Sequence, residues 1–220
     1  MKLTVPIIAL LLFCCLIQSC EEEQHPSQEE PVILPDAVNP DGFAGVDPMY
    51  RIEPLGLRFA GLGQALNEMD TLVPGLGILQ DTLVYDQGYF LATRTLHLND
   101  GVVVVEGEYI DENEVNDTLI ESSSVNRIRI ESPSFRTASG LGVDMRLGVL
   151  QATYPEDDFY INPILGYGAL DISRVSDTHI HYLISDPGNE LARATMSQGE
   201  ELTMEALPSD VQIFAIVLMR

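Results

Sequence analysis

The chain has 220 residues, 45% of them hydrophobic, so it is long enough and apolar enough to bury a core. It carries 34 acidic and 11 basic residues, a formal net charge of −23 at pH 7. Such a surface repels phosphate, which excludes nucleic acid as a plausible partner. The sole lysine, Lys2, lies in the first segment; without it the charge falls from −23 to −24.

The first 19 residues have the composition of an export signal. Lys2 is followed by an almost wholly apolar run from Leu3 to Ile17, shorter than the roughly 20 residues that span a bilayer. The run ends in Ile17-Gln18-Ser19-Cys20, which resembles the lipobox of bacterial lipoproteins. The resemblance implies that residues 1–19 are a cleaved signal peptide and that lipid on Cys20 anchors the protein to a membrane. An ordinary signal peptide or an uncut anchor is the alternative.

Two further features bear on this location. Cys14 and Cys15 lie in the predicted signal peptide, so the processed chain keeps Cys20 alone and forms no internal disulfide. Glu21-Glu22-Glu23 resembles the acidic tract of Bacteroidota lipoproteins that are exported to the outer face of the outer membrane. The resemblance implies a protein of the cell envelope, in the outer membrane and exposed at the cell surface. A solvated spacer is the alternative for these three residues.

Composition divides the rest of the chain in two. Residues 20–48 are rich in proline and acidic residues and lack apolar periodicity, which predicts an extended tether. Residues 49–220 are predicted to form the folded domain, with halves at about 49–136 and 137–220.

In the first half, a helical spacing of apolar residues comes before a series of strands. The spacing predicts a short helix with Leu62, Ala65, Leu66 and Met69 on one face. Asn99-Asp100-Gly101 predicts a hairpin turn between two of the strands. The predicted strands are 82–85, 88–98, 102–109 and 125–131, the last with Ile128 and Ile130 on one face and Arg127 and Arg129 on the other.

The second half has the same predicted order. Val143, Leu147, Leu150 and Tyr154 predict a helix that Pro155 ends. The predicted strands that follow are 168–172, 179–184, 191–196 and 212–219. The last is continuously apolar, as is typical of a central strand that is buried on both faces.

A shift of 84 residues places Leu66 on Leu150 and Leu96-His97-Leu98 on Ile180-His181-Tyr182. These matches predict an α+β fold made of two halves, each a helix followed by an antiparallel meander, as an internal duplication. Chance similarity is the alternative.

The segment between the halves resembles a known fold family. Arg129 to Val143 has a strand that ends in a threonine, a glycine turn and a predicted helix start. It resembles units of the β-lactamase-inhibitor-protein-like fold, which small lipoproteins of outer-membrane assembly share. The resemblance covers about 25 of 220 residues, and it implies a binding or scaffolding domain without catalytic residues.

Two groups of side chains are candidate metal ligands. His179 and His181 alternate on a predicted strand, so both imidazoles lie on one face, with His97 as a third candidate. Further ligands at a recognisable spacing are missing, so no metal or other cofactor is predicted there. The acidic segments 111–117 and 156–158 offer oxygen ligands for Ca²⁺, but 111–117 lacks the residues of an EF-hand loop.

Catalytic motifs are missing from the sequence. It contains no G-x-S-x-G nucleophile elbow and no P-loop lysine, so no enzyme activity is predicted. Three Asp-Thr-Leu triplets resemble the O-glycosylation sequon of Bacteroidota, which makes Thr71, Thr82 and Thr118 candidate glycosylation sites. Coincidence in a chain rich in Asp and Leu is the alternative.

These observations predict a lipid-anchored envelope protein that binds or scaffolds a protein partner without catalysis. The first alternative is a structural or adhesive surface protein that depends on Ca²⁺. The second is a hydrolase whose site has no recognisable motif.

Overall fold

Antiparallel strands are the main regular elements of the structure, a computed structural model that describes residues 43–86, 88–164, 168–191, 193 and 202–220. All of these residues belong to one compact unit. The predicted signal peptide, Cys20 and the predicted tether as far as residue 42 lie outside the described residues. No helix in the described ranges is long and apolar enough to cross a bilayer.

Most of the strands are long, and the helices are short. In chain order the strands are β1 (Arg51–Ile52), β2 (Gly56–Leu57), β3 (Ala60–Gly61), β4 (Leu72–Val73), β5 (Gly77–Asp86), β6 (Tyr89–Leu98), β7 (Gly101–Asp111), β8 (Arg127–Ile130), β9 (Arg136–Thr137), β10 (Phe159–Ile164), β11 (Ala169–Arg174), β12 (Asp177–Ser185) and β13 (Ile213–Met219). The helices are α1 (Asp117–Ser122) and α2 (Leu147–Thr153). Short 3₁₀ turns lie at Pro48–Tyr50, Leu66–Glu68, Pro187–Asn189 and Met204–Ala206.

Nine strands form one sheet in the order β10-β11-β12-β13-β8-β7-β6-β5-β4, with every neighbouring pair antiparallel. Two meanders, β4 to β8 and β10 to β13, therefore meet where β8 pairs with β13. The prediction that the C-terminal strand is central is confirmed, since β13 lies between β12 and β8. Ile216 on one face and Val217 on the other are both buried.

One face of this sheet carries the hydrophobic core. A row of fully buried side chains runs across six neighbouring strands, in register, through Leu96, Val103, Ile130, Ile216, Tyr182 and Ile172. Leu147 and Leu150 of α2 belong to the same buried cluster. The alternation predicted for β8 is confirmed, because Ile128 and Ile130 are buried and the arginines that alternate with them, Arg127 and Arg129, are partly exposed. This burial is the main source of stability of the fold.

The predicted hairpin turn joins β6 to β7, with Leu98 paired with Gly101. Gly101 is required by a close approach of backbone. A Cβ atom there would lie 2.8 Å from Ser132 Cα and closer still to the Glu131 carbonyl oxygen. The turn therefore also fixes how β7 meets the chain that follows β8.

The predicted α+β class is wrong, because the protein is mostly β and has one large antiparallel sheet. The first predicted helix is only a 3₁₀ turn, Leu66–Glu68. Gly63, at φ 81°, sits inside the predicted helical stripe in a conformation that a helix does not accept. Leu66 and Met69 are buried under the sheet instead, so apolar spacing here reflects a loop packed on the core.

The division into two equivalent halves is also wrong. The described residues of the predicted strand 191–196, Leu191 and Arg193, are not extended, and β12 pairs directly with β13. The 84-residue shift places β6 on β12, yet β7 separates β6 from β8 while no strand separates β12 from β13. The shift therefore does not relate equivalent strands.

Strand β10 and helix α1 are among the elements that have no counterpart in the prediction. Strand β10 contains Pro163, which weakens a strand pattern in the sequence, but β10 lies at the edge of the sheet, where a missing N–H is tolerated. Helix α1 follows the acidic loop and is capped by Asn116, whose side chain accepts a hydrogen bond from Leu119 N at 2.9 Å.

Candidate functional site

At one end of the sheet, β5, β6 and β7 extend beyond the last residue pair that β7 forms with β8, Glu106 and Arg127. We call this projecting part the tongue, which comprises residues 82–86, 88–93 and 107–111. Helix α1 packs near β6. The tongue is therefore a three-stranded extension that the described part of β8 does not flank.

The tongue and α1 carry half of the large hydrophobic side chains that are exposed in the described residues. Tyr85 and Tyr109 are more than half exposed, at 55% and 56%. The full set is Leu83, Val84, Tyr85, Tyr89, Tyr109 and Leu119. Isolated exposed apolar residues are ordinary, but a group of this kind marks an interaction surface.

Aromatic contacts hold part of this surface in a defined arrangement. The rings of Tyr85 and Phe90 lie 5.0 Å apart, and those of Tyr89 and Tyr109 meet edge to face at 6.4 Å. Tyr85 donates a hydrogen bond to Glu112 Oε2 at 2.6 Å. This bond is the main reason that the pKa of Tyr85 is raised, so the phenol stays protonated. The exposed rings are thus presented on paired strands.

The outer edge of β5 is open over most of its length. Strand β4 pairs with it only where Leu72 faces Ile78 and Val73 faces Gly77. Leu79 N–H also points outward, to the Thr71 carbonyl at 2.8 Å. Within the described ranges, no strand pairs with the outer side of β5 after that point.

A groove of about 350 Å³ lies beside this edge, on the face that α1 covers. Its apolar lining includes Leu66, Leu83, Ala92 and Ile120. Arg94 lies at its border with its charge compensated, since Nε is 2.7 Å from Asp81 Oδ1 and an NH1 proton goes to the Met69 carbonyl at 2.9 Å. The groove therefore offers apolar surface and no uncompensated positive charge from Arg94.

The surroundings of the tongue are acidic. Asp70, Glu108, Glu112 and Glu114 are exposed. The pKa of Asp111 is lowered because its carboxylate accepts hydrogen bonds from the backbone and the side chain of Asn113, both at 2.8 Å. Asp111 is therefore ionised at neutral pH, and the field around the tongue favours a positively charged partner.

The predicted site residues lie in different places. Cys20 is outside the described residues. Thr71, Thr82 and Thr118 are all exposed, which leaves the predicted glycosylation sites accessible. Thr71 precedes β4, Thr82 is on β5 and Thr118 is on α1, so all three are near the tongue or its open edge. Their modification stays a prediction.

The histidines do not form the metal site considered from the sequence. His181 Nδ1 is 2.8 Å from Asp171 Oδ1, and Nε2 is 3.0 Å from the Thr178 carbonyl, so both ring nitrogens already have partners. His97 lies on β6, several strands away in the sheet. In the ranges that the structure describes, no three His, Cys, Asp or Glu side chains come together as metal ligands.

The acidic segments are engaged in local contacts. In the first, Asp111 bonds Asn113 and Glu112 accepts from Tyr85. In the second, Asp157 pairs with Arg174 at 3.3 Å and accepts from Ser176 at 2.9 Å. Asp111, Glu112 and Asp157 therefore already have protein partners.

A cavity of about 510 Å³ lies at the end of α2. Arg174 stacks 3.9 Å above the Tyr154 ring and pairs with Asp157, while Gln151 donates to the Met204 carbonyl at 2.7 Å. Two polar side chains of the lining, Gln151 and Asp157, therefore already have protein partners. This arrangement gives no nucleophile with an adjacent base.

The sequence shows the strands of the tongue but not their exposure. Leu83-Val84-Tyr85 is a continuous apolar run, which in sequence favours a buried strand. Only the order of strands reveals that β5 lies next to the edge and that its outer side is open.

No protein-family model matches the chain, and comparison with curated proteins finds no match. Among solved structures, the chain is similar to the crystal structure of the uncharacterized protein YfeY from Escherichia coli, with 14% sequence identity and a TM-score of 0.45. The similarity covers 74% of this chain and 97% of that protein.

Proposed function

We propose that the chain is a lipid-anchored protein of the cell envelope that binds a protein partner through its tongue and performs no catalysis. The observation that carries the binding role is the group of exposed apolar and aromatic side chains on hydrogen-bonded strands. Aromatic residues are enriched in protein interfaces, and little order has to be created when they are already held in place.

The location rests on the sequence. An apolar run that ends at Cys20 supports lipid attachment, and Glu21-Glu22-Glu23 supports transfer to the cell surface. A tether that ends near residue 48 would leave the domain free to meet a partner in the envelope.

Site-specific photo-crosslinking in intact cells tests the binding role. A photoreactive phenylalanine analogue replaces Tyr109 on the tongue or, as the matched control, Tyr160 on β10 at the opposite end of the sheet. The two tyrosines are similarly exposed, at 56% and 53%. We expect one discrete crosslinked species from position 109 and none from position 160.

Two outcomes would count against the proposal. One is the absence of any crosslinked species at position 109. The other is the same set of abundant envelope proteins at both positions, which would indicate chance encounters.

A further inference from the structure

We infer that the open edge of β5 binds an extended, basic segment of the partner as an added antiparallel or parallel strand. The inference rests on the proposed protein-binding function and specifies its chemistry. Strand addition supplies main-chain hydrogen bonds for affinity, and neighbouring side chains supply specificity.

The backbone of β5 presents the groups that strand addition needs. Leu79 N–H points away from β6, to the Thr71 carbonyl. Outward and inward groups alternate along a strand, and the β5–β6 register is unbroken from Leu79 to Asp86. The N–H and C=O groups of Asp81, Leu83 and Tyr85 therefore point to the same open edge. Five residues from Asp81 to Tyr85 span about 17 Å.

This edge lacks most of the devices that usually prevent strand addition; the exception is the charge of Asp81, which Arg94 compensates. Proteins protect edges with proline, lysine, bulges or short strands. Strand β5 has ten residues, without proline or lysine, and its pairing with β6 has no bulge. The opposite edge strand, β10, has six residues and contains Pro163. The two edges of the same sheet thus differ in the way expected if only β5 accepts a partner.

Side chains next to the edge define the partner's middle residues as apolar. Leu83 and Tyr85 lie on the face that includes the α1 groove, and Val84 lies on the other face, next to the buried Leu91. An added strand would therefore place apolar side chains beside apolar neighbours on both faces. Cross-strand apolar pairs of this kind contribute to sheet stability.

The acidic residues near both ends of the open edge favour basic residues at both ends of the added strand. Asp70 and Asp81 lie near the start of the open edge, and Glu112 contacts Tyr85 at its far end. Arg94 compensates the charge of Asp81, since its Nε lies 2.7 Å from Asp81 Oδ1, so Asp70 and Glu112 supply the negative charge near the two ends of the open edge. A second copy of this chain would bring the same acids against them, and like charges across strands are destabilising. Arginine or lysine at both ends of the added strand fits this field.

Peptide binding to the full chain in detergent tests the inference. The probe is a capped seven-residue peptide with three central valines and two arginines on each side. One control peptide has glutamates in place of the arginines, and a second carries N-methyl groups on all three valines, which removes their donors. We expect binding of the first peptide alone.

Amide hydrogen exchange identifies the place of binding. We expect the amides of Asp81, Leu83 and Tyr85 to exchange at least about tenfold more slowly with saturating peptide. The amides of Gln80, Thr82 and Val84 already point to β6 and should not change. This alternation is specific to an added strand, because contact through side chains alone would not produce it.

A pair of variants distinguishes the contribution of the Leu83 backbone N–H to peptide binding from that of the Leu83 side chain. Leu83→Pro removes an outward N–H that no described strand uses, while Leu83→Ala shortens the side chain by a similar amount and keeps the N–H. We expect Leu83→Pro to weaken peptide binding at least about tenfold more than Leu83→Ala. Proline removes the hydrogen bond that Leu83 N–H would donate to the added strand and restricts the extended backbone. Thermal melting checks that both variants fold. If Leu83→Pro does not fold, the hydrogen-exchange pattern of the unaltered chain decides whether the peptide binds as an added strand.

Several results would overturn the inference. These are equal binding of the acidic peptide, protection at other amides, or protection of Asp81, Leu83 and Tyr85 before any peptide is added. The last result would identify a different occupant: a second copy if light scattering shows a dimer, or the chain's own tether if deletion of residues 21–42 removes the protection. If the crosslink from position 109 persists in Leu83→Pro, strand addition is refuted but the proposed protein-binding function is not. If the unaltered chain gives no crosslink from position 109, the proposed protein-binding function is refuted.

Discussion

The imidazole of His181 lies between the Asp171 carboxylate at 2.8 Å and the Thr178 carbonyl at 3.0 Å, and both partners are hydrogen-bond acceptors. Both ring nitrogens are satisfied together only when both carry a proton. Burial by itself lowers the pKa of His181, but the hydrogen bond to Asp171, the charge of Asp171 and the Thr178 carbonyl outweigh it, so the pKa is raised. The folded sheet therefore favours the protonated ring.

This arrangement predicts pH-dependent stability. A raised pKa in the folded state stabilises the protein fully below the ordinary histidine value, and the contribution is lost as the pH rises through the folded value. We expect Asp171→Asn to lower the free energy of unfolding more at about pH 6 than at about pH 9. Urea unfolding of the variant and the unaltered chain at both pH values measures this difference.

The matched control is His179→Gln, since His179 is on the same strand but 45% exposed. The difference in unfolding free energy between the two pH values should change less in this variant than in Asp171→Asn. A destabilisation by Asp171→Asn that stays constant or grows with pH would show that the charged pair is unimportant.

Close backbone packing at Gly101 gives a second prediction at this scale. Gly101→Ala should destabilise the protein by about 2 kcal/mol or more, because the new methyl group would meet the backbone of Glu131 and Ser132. Gly140→Ala is the control: Gly140 has φ 79°, but nothing lies within 4 Å of an added Cβ, so only conformational strain of about 1 kcal/mol is expected. Denaturant unfolding of both variants distinguishes packing from strain, and equal losses would contradict the packing argument.

Individual residues were predictable where one local rule decides. Asn99-Asp100-Gly101 forms the predicted turn, and Ile128 and Ile130 face the core as their alternation indicates. The hydrogen bond of His181 to Asp171 was not predictable, because Asp171 lies on the neighbouring strand and the distance between the two side chains depends on the register of β11 and β12.

At the scale of elements, β13 joins the two meanders. Ile216 lies in the buried row between Ile130 of β8 and Tyr182 of β12, and all three side chains are buried. Loss of this strand would leave β8 and β12 unpaired on one side, with their inward groups unsatisfied. Its continuous apolar sequence matches this central position.

Substitutions along β13 test the position. Ile216→Ala should cost about 2–5 kcal/mol of unfolding free energy, because it opens a cavity in the buried row. Phe214→Ala is the control on the same strand, since Phe214 is 40% exposed, and should cost no more than about 2 kcal/mol. Chemical denaturation measures both. A loss at Phe214 that matches the loss at Ile216 would contradict the assignment of faces.

Strands were more predictable than helices in this chain. Turn residues bound the long hairpin strands β5, β6 and β7, so their presence follows from local chemistry. The apolar residues Leu66 and Met69 have helical spacing, but they cover the sheet from a 3₁₀ turn. The spacing of apolar residues reflects which residues are buried, and a loop that packs on a core can have the same spacing as a helix.

At the scale of the whole molecule, the decisive feature is the order of strands. The pairing of β8 with β13 joins segments that are far apart in the chain, and no local signal in either strand indicates it. The same order leaves the outer side of β5 open after Leu79. The candidate site therefore could not be located from the sequence, although the strands that build it could.

The acidic charge of the molecule makes the proposed envelope location depend on the proposed lipid attachment. A surface with a formal charge of −23 is repelled by anionic headgroups, so the protein surface alone does not supply affinity for such a membrane. Each buried methylene of an acyl chain contributes about 0.8 kcal/mol, and more than one chain is needed for stable anchoring.

We therefore expect mass spectrometry of the native protein to find acyl chains on Cys20 and the protein to sediment with membranes. Cys20→Ser should abolish the acyl mass, because serine has no thiol, and should move the protein out of the acylated pool in metabolic palmitate labelling. Cys14→Ser is the control, since Cys14 lies within the predicted signal peptide and its loss should change neither result. An unmodified Cys20 thiol in protein isolated from its own cells would refute the proposed lipid anchor, whereas the proposed binding edge on β5 would still be open to test.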